Sequence, residues 1–149
     1  MAGLIDGEGS LECQRQMQKH GRTPRYQLRL SFGFATEEPL RTIGGWFGLQ
    51  PKCYPRVSPE RQPFWRMSIP KNAAVLLLNQ CLPYLILKRE QAELVLAIEK
   101  VRALHSPSRH IPVGHPDRRM PEAAIREMEE YHQRLRALKS AKRPAQMRL

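Results

Sequence analysis

The most regular pattern along the chain is an alternation of apolar and polar positions over residues 26–34. Its apolar positions are Tyr26, Leu28, Leu30, Phe32 and Phe34. A two-residue period places these side chains on one face, so the pattern predicts a half-buried strand. Residues 10–16 alternate more weakly, and turn-forming residues at 20–24 predict that the two segments form a hairpin. Residues 52–58 and 64–69 predict a second hairpin.

Helices are predicted between and after the hairpins. Thr36 offers a capping hydroxyl before an acidic first turn, and Gly48 is expected to end this helix after Phe47. The spacing of apolar residues predicts three further helices, over residues 70–82, 85–104 and 121–139. We therefore expect a core over residues 1–104, a loop over 105–120, and a C-terminal helix with a basic tail over 121–149.

Charge narrows the class of partner. The 149 residues include 25 basic and 14 acidic side chains, a net charge of +11, and 41% are hydrophobic, which is enough for a folded core. Residues 13–89 hold thirteen lysines and arginines against three glutamates, a net +10. Such a basic block favours a polyanion as partner, with nucleic acid ahead of an acidic membrane surface. Neither a membrane-spanning run nor a signal peptide is evident, so we expect an intracellular protein.

Several other site types fit the sequence poorly. The three cysteines lack a C-x-x-C pair, which disfavours a disulfide framework or a structural zinc site. His105, His110 and His115 fall in a proline-rich segment without cysteine or an adjacent acid, which favours a solvated loop over a zinc-dependent nuclease site. The chain also lacks a nucleophile elbow and the GK[ST] ending of a nucleotide-binding loop.

The N-terminal segment carries the most specific signal. Residues 1–9 read MAGLIDGEG. The small residues Ala2 and Gly3 would allow two copies of this helix to pack closely, and a glycine after Glu8 ends the helix and places that carboxylate on a rigid support. Two paired helices would bring two carboxylates together, and such oxygen ligands suit Mg²⁺. Divalent ions beside a phosphodiester promote its hydrolysis.

This segment resembles the signature of the LAGLIDADG homing endonucleases. A second segment, residues 82–92, reads LPYLILKREQA and resembles the part of that family that carries its active-site lysine. The order of predicted elements along residues 1–104 is also similar to the family. The resemblance implies an α+β fold, a LAGLIDADG endonuclease-like αββαββα saddle with C-terminal helices.

The resemblance further implies a homodimer, because the chain has one motif. It implies Mg²⁺-dependent (or Mn²⁺-dependent) cleavage of double-stranded DNA at a pseudo-palindromic site, leaving short 3′ overhangs. A second reading is a non-cleaving nucleic-acid binder on the same fold, such as a maturase that binds intron RNA, or a regulator. A third is a basic structural or ribosome-associated protein.

Roles are assigned to individual residues by their match to the family. Glu8 would be the metal ligand, together with the carbonyl of Gly7, and Lys88 would polarise the scissile phosphate or order nearby water. Arg41 would supply a second catalytic positive charge. The expected dimer interface consists of Ala2, Gly3, Leu4 and Asp6. The expected DNA-binding residues are Glu12, Gln14, Gln16, Gln27, Arg29, Ser31, Lys52, Tyr54, Arg56 and Arg66. Most are residue types that donate to base edges or phosphates, and Glu12 would accept from cytosine.

Overall fold

The chain combines helices with one four-stranded sheet, as seen in a computed structural model that describes residues 1–17, 24–54, 64–106 and 119–141. The helices are α1 (Ala2–Glu8), α2 (Glu38–Phe47), α3 (Lys71–Cys81), α4 (Arg89–Leu104) and α5 (Glu122–Ala141), with a 3-10 turn at Leu82–Tyr84. The strands are β1 (Gly9–Met17), β2 (Pro24–Phe34), β3 (Lys52–Tyr54) and β4 (Phe64–Ile69). The predicted α+β class and αββαββα order are confirmed.

The sheet has the strand order β1-β2-β4-β3. β4 runs antiparallel to both of its neighbours, with Phe32 opposite Met67 on one side and Cys53 opposite Trp65 on the other. The alternation predicted for β2 is confirmed, because its apolar side chains up to Phe32 are buried and Phe34 is half-buried. The remainder of the second predicted hairpin, residues 55–58, lies outside the described residues.

The chain divides into two compact units. The first unit consists of Met1–Glu12 and Arg29–Arg89, and the second consists of Cys13–Leu28 and Glu90–Leu149. Side chains buried in the first unit include Ile5, Leu30, Phe32, Leu40 and Leu78. Those buried in the second include Tyr26, Val95, Ile98, Met128 and Leu135. The division predicted at residues 104 and 120 stays a prediction, and most of the loop expected between them lies outside the described residues.

Helix ends differ from the sequence predictions in three places. α2 ends at Gly48 as expected, in the left-handed conformation (φ 64°), but its N-cap is Glu37 rather than Thr36. The Glu37 carboxylate binds Arg41 and does not cap the helix backbone. α3 passes into the 3-10 turn around Pro83 instead of stopping there. The prediction that α4 starts at residue 85 was wrong, since the helix begins at Arg89. No helix in the described part of the chain is long and apolar enough to cross a membrane.

Candidate functional site

The last turn of α1 presents Glu8 at the point where the chain passes directly into β1. Gly9 makes this junction possible. A Cβ at Gly9 would lie 2.6 Å from the carbonyl oxygen of Ile5, so a side chain there would clash with the backbone of the preceding turn. Gly9 donates its own N–H back to carbonyls of α1 and continues in an extended conformation. The Glu8 side chain is therefore exposed on a helix end that the following strand holds in place.

Lys88 lies at the same end of α1. Its Nζ donates to the carbonyl oxygens of Ile5 at 2.8 Å and Asp6 at 2.5 Å, and lies 3.5 Å from that of Gly7. These carbonyls are among the groups that a helix leaves without internal partners at its C-terminus, where the helix dipole favours a cation. The structure thus places Lys88 at the helix end that carries Glu8, the other residue to which sequence analysis gave a central chemical role.

Asp6 fixes the backbone that carries Lys88. Its carboxylate accepts hydrogen bonds from the N–H groups of Ile86 at 2.7 Å and Lys88 at 2.9 Å. Partial burial raises the pKa of the Asp6 carboxyl, but the N–H donors of residues 86–88 and the charge of Lys88 outweigh burial and hold the pKa below its ordinary value. Residues 86–88 consequently form bends instead of the first turn of α4.

Sequence analysis placed Asp6 at the expected dimer interface and missed this role. A signal for it exists in the sequence. A carboxylate in the last turn of a helix is unfavourable against the helix dipole unless other donors compensate it. Asp6 occupies such a position, so a search for its donors would have been justified. The sequence alone gives no indication that the donors come from a segment 80 residues away.

The donor set at the helix end fits a hard divalent cation in kind but is incomplete in number. The Glu8 carboxylate and the Gly7 carbonyl are oxygen ligands, which Mg²⁺ and Mn²⁺ prefer. Among the described residues, no group of three or more histidine, cysteine or acidic side chains is placed to hold a metal ion. Within the described residues, Glu8 and Gly7 would thus supply only part of a coordination shell.

The small residues of α1 leave part of the helix surface uncovered. Gly3 is exposed, and a Cβ built on it meets no atom within 4 Å. Ala2 and Leu4 are half-buried. These residues are the ones expected at a dimer interface, and that assignment stays a prediction.

Arg41, the second predicted catalytic cation, has a local partner. Its guanidinium forms an ion pair with Glu37 at 3.0 Å, one turn earlier on α2. The Glu37 carboxylate raises the pKa of Arg41 further above its ordinary value. A catalytic role for Arg41 rests on the resemblance alone.

In the first unit, the predicted DNA-binding residues of β2, β3 and β4 share the polar side of the sheet. Lys52 lies opposite Arg66, and Arg66 also lies opposite Gly33. The Arg66 guanidinium donates to the Ser31 hydroxyl from Nε at 3.2 Å and from Nη2 at 2.8 Å. Ser31 is only 1% exposed, so the expected direct contact of its hydroxyl with DNA is corrected: Ser31 orients Arg66.

The other predicted DNA-binding residues have varied settings. Lys52 and Tyr54 are exposed, and Arg29 is half-buried. Half-buried Glu12 accepts a hydrogen bond from Ser10 at 3.2 Å. In the second unit, Gln16 is exposed, Gln14 and Gln27 are half-buried, and the Gln16 amide lies 3.5 Å from the Gln14 oxygen. Arg56 lies outside the described residues.

A partly exposed network holds α5 to the hairpin in the second unit. The Tyr26 hydroxyl donates to the Glu129 carboxylate, which also pairs with Arg15 at 2.9 Å. Burial, together with the hydrogen bond to Glu129, raises the pKa of Tyr26 to about 12. The Tyr26 ring also contacts His132 edge to face, with centroids 5.7 Å apart. Sequence analysis missed these residues because they are distant along the chain.

Comparisons with known proteins place the fold. No protein-family model and no curated protein matches the sequence. Among solved structures, the homing endonuclease I-CvuI in complex with DNA has a TM-score of 0.64 and 19% identity, over 95% of this chain and 81% of that one. The archaeal intron-encoded homing endonuclease I-Vdi141I complexed with DNA has a TM-score of 0.65 and 16% identity, over 92% and 80%.

A longer neighbour, the LAGLIDADG homing endonuclease I-GzeII in complex with its DNA target, has a TM-score of 0.60 and 14% identity. The match covers 88% of this chain but 42% of that one. Identities this low establish the fold and not the activity. The resemblance seen in the sequence is thus confirmed for the fold, and the chain has the α+β fold of the LAGLIDADG homing endonucleases.

Proposed function

We propose that the chain belongs to the LAGLIDADG family and is a sequence-specific endonuclease that cleaves double-stranded DNA as a homodimer with Mg²⁺ or Mn²⁺. One observation carries the proposal. Lys88, from the segment that resembles the family's lysine segment, binds the end of α1 that carries Glu8, from the segment that resembles its motif. A carboxylate and an ammonium at one helix end suit phosphodiester hydrolysis, in which negative charge grows on the phosphate oxygens.

Each residue at the helix end has a distinct task in this proposal. Glu8 and the Gly7 carbonyl would hold the divalent ion, which would supply an activated water and positive charge for the leaving oxygen. Lys88 places a positive charge beside the scissile phosphate while its hydrogen bonds to α1 keep the ammonium in position. Asp6 holds the backbone of Lys88 and contacts no substrate.

The single motif of the chain supports a homodimer. One chain offers one Glu8, whereas cutting both strands requires a site for each. Pairing of α1 with its copy through Ala2 and Gly3 would supply a second Glu8 and match the two-fold symmetry of a pseudo-palindromic target. The neighbours in complex with DNA and the net +10 of residues 13–89 support duplex DNA as the substrate.

A second candidate function is a non-cleaving nucleic-acid binder, an intron-RNA maturase or a regulator. The position of Lys88 favours it to some degree. Its ammonium caps the carbonyls of α1, and that structural role would be retained in a protein that does not cut. Glu8 separates the two functions, since no contact of its exposed carboxylate with the other described residues gives it such a structural task.

Selection from a randomised duplex library tests the proposal. Wild type and Glu8→Gln are compared in Mg²⁺ and in Ca²⁺, and Glu130→Gln, at an exposed glutamate on α5, is the matched control. We expect cleaved ends with short 3′ overhangs from wild type and the control in Mg²⁺ only. Enriched sites that stay uncut in every sample would favour the non-cleaving binder. Failure to enrich any sequence would refute the endonuclease and a DNA-binding regulator, and binding to structured RNA in the same samples would then identify the maturase.

A further inference from the structure

An aromatic pair interrupts the polar side of the sheet in the first unit. Tyr54 on β3 lies opposite Phe64 on β4, with ring centroids 6.4 Å apart and planes tilted by 45°. Both rings are on the side that carries Lys52 and Arg66, the neighbouring opposite pair. Tyr54 is 49% exposed and Phe64 is 44% exposed, so a large apolar surface is open to solvent among cations.

Gly33 determines how the pair lies. A Cβ at Gly33 would come within 2.5 Å of Phe64 Cε2, so the Phe64 ring lies across the backbone of β2 at a position where any side chain would collide with it. A glycine within a strand often marks such a close approach. Phe64 therefore reaches across from β4 to β2 and leaves part of its apolar surface exposed.

An aromatic pair across two strands can serve stability alone, by up to about 1 kcal/mol. Stability does not require that both rings remain half exposed beside two cations. Lys52 and Arg66 match the charge of a DNA backbone or the acceptors of guanine. An apolar group that duplex DNA displays in its major groove is the C5-methyl of thymine. Stacking with bases is the other use of exposed rings, but it needs unpaired bases.

We propose that Tyr54 and Phe64 form an apolar ledge that contacts a thymine methyl group in the major groove and selects thymine over cytosine at that position. The inference rests on the proposed DNA binding and adds a specificity determinant to it. Sequence analysis assigned Tyr54 to DNA contact but did not single out Phe64 or Gly33.

Base analogues isolate the methyl group. Binding is measured on the sites enriched from the library, with uracil replacing thymine one position at a time and 5-methylcytosine replacing cytosine. We expect one position per half-site at which uracil weakens binding roughly fourfold, the ratio predicted for burial of one methyl group, and 5-methylcytosine there strengthens binding over cytosine. Substitution in both half-sites should multiply the effects.

Three variants assign the effect to the ledge. Phe64→Ala is expected to bind thymine and uracil sites equally. Gly33→Ala keeps both rings but displaces Phe64 from β2, and is expected to reduce the ratio of binding to thymine and uracil sites. This variant tests the inference if Phe64→Ala does not fold. Leu76→Ala removes an exposed apolar side chain on α3 and should leave the ratio unchanged.

The inference is overturned if wild type binds thymine and uracil sites equally at every position, or if Phe64→Ala keeps the full ratio. It is also overturned if Phe64→Ala instead weakens binding to single-stranded oligonucleotides, which would indicate base stacking. Cleavage is measured separately on the same sites. If wild type binds these sites with a preference for thymine but does not cut them, the proposed endonuclease activity is refuted and the inference about the ledge is retained.

Discussion

Replacing Asp6 with alanine would release the segment that carries Lys88. The carboxylate accepts two backbone hydrogen bonds, from Ile86 and Lys88, at 2.7 and 2.9 Å. These bonds join α1 to residues 86–88 and do not involve a bound ion or DNA. The variant therefore tests the structural argument separately from the proposed activity.

The size of the effect follows from the two bonds. A hydrogen bond to a charged group contributes about 1.5–3 kcal/mol when it is well shielded. Here water can replace part of the loss, because Ile86 is 84% exposed, whereas Lys88 is half-buried. We therefore expect a total loss near that of a helix cap, about 1–2 kcal/mol of unfolding free energy, or roughly 2–8 °C in Tm for a domain of this size.

Urea unfolding at neutral pH measures the loss, and amide hydrogen exchange at Ile86 and Lys88 locates it. The folded pKa of Asp6 lies below its ordinary value of 3.8. Its contribution is therefore fully present above that value and is lost as the pH falls through the folded pKa. The difference between wild type and Asp6→Ala should shrink accordingly in acid.

Glu8→Ala is the matched control, since it removes an exposed carboxylate from the same helix turn. Its effect on stability should stay within about 0.5 kcal/mol. The reasoning would be refuted if Asp6→Ala were as stable as wild type, or if exchange at Ile86 and Lys88 did not accelerate.

Two further predictions concern α5 and α2. Glu129→Gln should destabilise the fold by on the order of 1 kcal/mol at neutral pH, by weakening the bond from Tyr26. That bond holds the pKa of Glu129 below its ordinary value of 4.5. The difference in unfolding free energy between wild type and Glu129→Gln should therefore be complete above pH 4.5 and vanish as the pH falls through the folded pKa. Urea titrations at several pH values measure this difference, and a difference that grows in acid would contradict the assignment. Gly48→Ala should cost about 1–2 kcal/mol, because φ is +64° there. Gly45→Ala, within α2 in open space, should instead stabilise by about 0.5–1 kcal/mol; thermal unfolding that moves both variants in one direction would reject this contrast.

Much of the fold could be predicted because its signals are local. The alternation over residues 26–34 marks β2, and its apolar positions are the buried ones up to Phe32. The left-handed turn after α2 needs Gly48, which the sequence displays. The start of α4 was misjudged because residues 85–88 look helical by themselves. Asp6 draws their N–H groups away from a helical turn, and a local pattern carries no information about an acceptor so far along the chain.

The sequence by itself determined which residue types are available at the candidate site: Glu8 in a glycine-rich helix end, Lys88 before a long helix, and cations along alternating strands. Only the tertiary structure decided their arrangement. Ser31 was expected at the surface because it alternates with the apolar positions of β2. Its hydroxyl is instead bound by Arg66, which lies 35 residues further along the chain on β4. The physical reason is that periodicity fixes the face on which a side chain lies, whereas hydrogen bonds and close packing between distant segments fix what lies over it.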